Sequence, residues 1–110
     1  MESIALTEAV FYILISMEQP IHGYGIMQSV EKMSGGRVKL AAGTLYGALS
    51  SLVDKKWIIA LPSEENSRKK EYQITDLGKA AAAAELRRLK ELVKNGEAVA
   101  GGWDNDKNGI

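Results

Sequence analysis

The chain has 110 residues, a formal net charge of zero and no cysteine. That length allows one small domain with an appendage, whose core is marginal unless a second copy helps to cover it. Disulfides and thiolate metal sites are excluded, and the charge balance argues against a simple polybasic nucleic-acid binder. The single histidine, His22, has no carboxylates clustered near it, so neither a metal site nor a resident cofactor is expected. No apolar run approaches the ~18 residues that cross a membrane. The opening Met1-Glu2-Ser3 lacks the basic region of a secretory signal, and a cytoplasmic location is the expectation by default.

Leu6, Val10, Ile13, Leu14 and Met17 recur at helical spacing and predict a first helix over residues 4–17, ended by Pro20. His22-Gly23-Tyr24-Gly25 predicts a tight turn. A second helix is predicted over 23–34, with Ile26, Val30 and Met33 on one face and Ser34-Gly35-Gly36 as its stop. Arg37-Val38-Lys39-Leu40 alternates polar and apolar residues and predicts a short strand.

The third helix, over 42–55, is the most informative stretch. Leu45, Leu49, Leu52 and Val53 make one apolar face. The other positions carry Thr44, Tyr46, Gly47, Ser50 and Ser51, without a charge until Asp54. A helix whose outer face only meets water normally shows Glu and Lys there. Small, uncharged, hydrogen-bonding side chains suit close approach to another surface, and a DNA major groove is one such surface.

Residues 57–62 and 68–75 predict the two strands of a hairpin with a polar, charged tip. Thr75 is placed to cap a fourth helix that runs to about Asn95-Gly96. The alanines at 80–84 leave Leu86, Leu89, Leu92 and Val93 to carry its apolar stripe. Such a helix on a small domain is expected to cover that stripe with a symmetric partner, the alternative being its own domain. The Gly-, Asn- and Asp-rich end predicts a mobile tail. The expected class is mainly α with a small β-hairpin: a winged helix-turn-helix over 1–75, a dimerisation helix over 76–96 and a tail over 97–110. Between Arg37 and Lys79 there are eight Lys/Arg and five Asp/Glu, so a neutral chain can still present a locally positive face.

Several segments together resemble the PadR family of bacterial transcriptional regulators. They are Leu6-Thr7-Glu8, Pro20-Ile21-His22-Gly23-Tyr24-Gly25, Gly43-Thr44-Leu45-Tyr46, and the run from Arg68 to Thr75 followed by Gly78. The resemblance covers residues 4–95. The short C-terminal part is similar to the compact members, which have one dimerising helix. The resemblance implies a homodimeric repressor on an inverted-repeat operator in double-stranded DNA, released by a small-molecule effector acting through the fourth helix. Some relatives bind flat aromatic drugs with an aromatic residue on that helix, whereas residues 76–95 here contain none.

The candidate DNA-binding residues are Tyr24, Lys39, Gly43, Thr44, Tyr46, Gly47, Ser50, Arg68, Lys69 and Lys70. Thr44 can bond a phosphate or touch a thymine methyl, and Gly43 lets the backbone come close at a helix start that favours an anion. Three roles are open to Tyr46: reading a base, holding a phosphate, or packing over the core. Arg68, Lys69 and Lys70 can neutralise phosphates beside the groove, or simply keep a hairpin edge solvated. Lys55 and Lys56 are weaker candidates. Leu86, Leu89, Leu92 and Val93 are the candidate dimer residues. The glycines near His22 lack the partners of a phosphate loop, and no catalytic set stands out, so no enzyme is expected. The alternative reading is a winged-helix interaction module that binds no operator, favoured by the zero net charge.

Overall fold

The computed structural model describes residues 5–62 and 70–103. The chain forms α1 (Glu8–Ile15), β1 (Ile21–His22), α2 (Gly23–Met33), α3 (Ala42–Asp54), β2 (Ile58–Pro62), β3 (Lys70–Ile74) and α4 (Asp76–Ala100). The helical expectations hold in order, with shorter α1 and longer α4. Thr7 starts α1 because its hydroxyl accepts the Val10 N–H at 3.1 Å. α2 stops where Gly35 and Gly36 take φ of 63° and 84°, and their N–H groups close back onto Lys32 and Glu31 at 3.1 and 2.8 Å.

The segment 37–40 is not a strand. Buried Ser34 accepts the Val38 N–H at 2.9 Å and holds the segment against the domain. Its alternation reflects Val38 and Leu40 packing on the core, not a ladder. The extra strand is instead β1, where a tight turn was expected. It pairs Ile21 with Tyr72, giving a three-stranded antiparallel sheet in the order β1-β3-β2. β2 and β3 form the expected hairpin, from Ile58 opposite Ile74 to Pro62 opposite Lys70.

The core joins Ile13, Leu14 and Met17 to Ile26 and Val30 of α2, Leu45, Leu49 and Leu52 of α3, and Ile58 and Tyr72 of the sheet. Met33 and Val53, expected on apolar faces, lie at its rim, 40% and 37% exposed. α4 packs on α1 through Ala82 and Glu85 and then leaves the domain. Asn95-Gly96 does not stop it, because Gly96 keeps a helical φ and closes no left-handed cap. A helix of 25 residues extends about 37 Å. It explains a radius of gyration of 16.8 Å where a compact domain of this size has about 13 Å.

Glu85 is the one buried carboxylate among the described residues, 3% exposed. Arg88 donates to it at 2.9 and 2.6 Å, and Glu85 shares a hollow with Leu6, Phe11 and Tyr12 at the entrance of α1. Arg88 holds the Glu85 carboxyl below the usual carboxylate range, and burial pushes the other way. A carboxyl depressed on folding stabilises the native state above its unfolded pKa, and that contribution fades as pH falls through the native value. Glu85→Gln should therefore melt below wild type at about pH 6, and the gap should shrink progressively as pH falls below about 4.3, the ordinary carboxyl value. A gap independent of pH in thermal melts would show that the charge contributes nothing.

Candidate nucleic-acid interface

α3 turns Leu45, Leu49 and Leu52 inward. Gly43, Thr44, Gly47 and Ser50 are exposed on the rest of its circumference. A Cβ added at Gly43 or Gly47 would meet nothing within 4 Å. The protomer therefore has no steric use for either glycine, although Gly47, inside the helix, costs about 1 kcal/mol relative to alanine. The result is a strip of nearly bare backbone along the outer face.

Tyr46 flanks that strip, 49% exposed. Its phenol rests on the start of α2: a Cβ at Gly23 would lie 2.3 Å from the Tyr46 hydroxyl. Burial pushes the Tyr72 phenol above its ordinary pKa, and the neighbouring Tyr46 adds to the shift. Packing is thus part of what Tyr46 does, and half of it remains available to another molecule.

The two helices at this surface also begin differently from the others. Thr7 and Thr75 cap α1 and α4 with their side chains. His22 and Ala41, which precede α2 and α3, supply no side-chain hydrogen bond. The first-turn N–H groups of α2 and α3 are therefore left for other acceptors, at the positive ends of the helix dipoles. Tyr24, 68% exposed, shares a shallow groove with Gln28, Lys32, Lys39 and Leu40. The fold thus brings the candidates Tyr24 and Lys39 together beside the α2 start.

Lys70 is exposed at the start of β3; Arg68 and Lys69 lie outside the described residues. Two other cations, Arg37 and Lys55, are engaged in ways a charge count misses. Arg37 pairs with Glu8 through both guanidinium arms, one at 3.2 Å, and each partner draws the other further into its charged range. Lys55 stacks over Trp57, its Nζ 5.1 Å from the ring centre. Lys56 closes α3 with a φ of 65°.

Of the candidate dimer residues, Leu86, Leu92 and Val93 are 44%, 52% and 61% exposed. Leu89 is half-buried and shares a hollow with Leu6, Phe11 and Tyr12 of its own chain. The row 78, 82, 85, 89 that faces the domain continues at helical spacing through Leu92, Val93, Gly96 and Val99. That second half has no domain beneath it.

Among the described residues no group of side chains could hold a metal, and no helix is long and apolar enough to cross a membrane. Three helices with a sheet-borne wing and an open helix face define a winged helix-turn-helix of the transcription-regulator class. The chain belongs to the PadR-like family of transcriptional regulators, whose profile matches residues 10–84. Over 73 residues it is 36% identical to an uncharacterized 37.1 kDa protein of a Streptomyces fradiae transposon, TN4556, and it spans 20% of that relative's length. It resembles a PadR family transcription regulator from Clostridium difficile with a TM-score of 0.68 and 22% identity, over 84% of this chain and 96% of the other. A similar likeness, TM-score 0.67 at 14% identity over 88% of this chain and 69% of the other, is to Bordetella bronchiseptica BpsR, whose DNA binding is regulated by 6-hydroxynicotinic acid. The family and these structures are transcription regulators rather than enzymes.

Proposed function

We propose that this regulator is a cytoplasmic repressor that binds an inverted-repeat operator as a homodimer and is released by a small-molecule effector. The observation that carries the DNA-binding face is the bare strip at Gly43 and Gly47. α3 enters the major groove with Gly43, Thr44, Gly47 and Ser50 toward the base edges. Tyr46, Tyr24 and the uncapped start of α2 hold the flanking phosphates, as the helix preceding the recognition helix does in this class of fold. Lys39, Arg68, Lys69 and Lys70 supply charge beside the groove. The exposed stripe on α4 supports pairing between copies. The BpsR likeness motivates the effector, and the lack of aromatic residues over 76–95 argues against a flat aromatic drug stacking on that helix.

The test is a gel-shift titration of the chain against the promoter DNA of its own operon. A shift that survives excess nonspecific competitor is expected; no shift even at low salt would refute operator binding. Replacing Arg68, Lys69 and Lys70 by Ala should weaken binding to all sequences alike. The slope of log affinity against log salt should flatten by about one unit for each lost phosphate contact. An unchanged slope would remove the wing from the interface.

A further inference from the structure

Thr75 stands where the end of α3 meets the start of α4. α3 closes through Lys56 in a left-handed conformation. The Trp57 N–H donates to the Leu52 carbonyl at 3.1 Å, and the Lys56 N–H to the Val53 carbonyl at 2.9 Å. The carbonyls of Lys56 and Trp57 are both taken up by Thr75. Its hydroxyl donates to the Lys56 oxygen at 2.8 Å, and its backbone N–H donates to the Trp57 oxygen at 2.9 Å. The same hydroxyl oxygen accepts the Gly78 N–H at 3.0 Å and so caps α4. The joint is tight enough that a Cβ at Gly78 would fall 2.1 Å from the Trp57 oxygen. From sequence Thr75 is only a helix cap; its second bond, across to α3, is visible only in the fold.

We infer that Thr75 is a positioning residue that fixes the direction of α4 relative to α3, and thereby the half-site spacing a dimer accepts. This rests on the homodimeric operator reading above. The residue type matters, because one hydroxyl both donates to Lys56 and accepts from Gly78. Serine can do both, whereas aspartate caps a helix equally well but has no proton to donate. Thr75→Asp therefore separates the joint from the cap.

The full-length wild type, Thr75→Ser and Thr75→Asp would be titrated by fluorescence anisotropy against the operator, against a single half-site, and against operators whose half-sites are one or two base pairs closer or further apart. Each added base pair moves a half-site about 3.4 Å along the duplex and about 35° around it. Wild type and Thr75→Ser are expected to prefer the natural spacing. Thr75→Asp should keep the helix content and half-site affinity, and lose about fivefold in spacing discrimination, the worth of one net hydrogen bond. Equal discrimination by Thr75→Asp and wild type would overturn the inference, as would a wild type indifferent to spacing. A wild type that binds no operator at any spacing would instead refute the operator reading itself. If Thr75→Asp does not fold, amide exchange in the wild type decides: the Thr75 amide, which donates across to Trp57, should be as protected as those in the middle of α3, and exchange at loop rates would overturn the joint.

Discussion

Replacing Leu92 and Val93 together by aspartate is expected to leave a folded monomer that binds its operator at least about 100-fold more weakly, because two half-sites are then no longer held together. Both side chains are more than half exposed in the protomer, at 52% and 61%. Their loss removes nothing from the core, and only the small helix preference of the new residues is forfeited. In a pair of helices the change acts on both copies. It removes about 1.5–3 kcal/mol of apolar burial at each site and puts carboxylates where they have no partner. Sedimentation is expected to show a dimer for wild type and the monomer for the variant at the same concentration, with unchanged helix content by circular dichroism. A persisting dimer would move the subunit interface elsewhere. Leu86 and Leu89 are poorer test sites: Leu89 shares a hollow with its own α1, so its loss mixes folding with assembly. The unbranched gap at Gly96, where an added Cβ meets nothing, fits close approach of a second helix along the same stripe.

Much of this arrangement is legible in the chain because its signals are local. The periodicity of Leu45, Leu49 and Leu52 survives as a buried face, and Thr75 caps α4 as its position predicts. What escaped was set by neighbours distant in sequence. Residues 37–40 have the alternation of a strand, yet Ser34 and the core take their polar and apolar groups, while the two residues Ile21–His22 pair with Tyr72 and Glu71. A two-residue strand carries no period to read. Gly96 has the composition of a helix stop without its backbone conformation. Arg37 counts as positive in any window of sequence, but the fold places Glu8 against it. At the interface, the uncharged face of α3 is a sequence signal, whereas Tyr46 resting on Gly23 and the double use of the Thr75 hydroxyl arise only when three segments meet.

Gly47→Ala should raise stability and lower DNA affinity at once. Alanine fits the helix without meeting any atom of the protomer within 4 Å. It should therefore recover about 1 kcal/mol of helix propensity, a rise in melting temperature of about 5 °C for a domain of this size. If the bare strip exists for a groove, the same methyl stands between backbone and DNA. Overpacking of a close contact costs about 1–3 kcal/mol, which corresponds to about 5- to 150-fold in affinity. A residue kept only by chance on a solvated face would show the first effect without the second. The most direct measurement is thus a melting curve and an operator titration of Gly47→Ala beside wild type, in the same buffer and salt. A higher melting temperature with binding weakened about tenfold or more is the expected result; a more stable variant that binds its operator as tightly as wild type would contradict the assignment of this face to DNA.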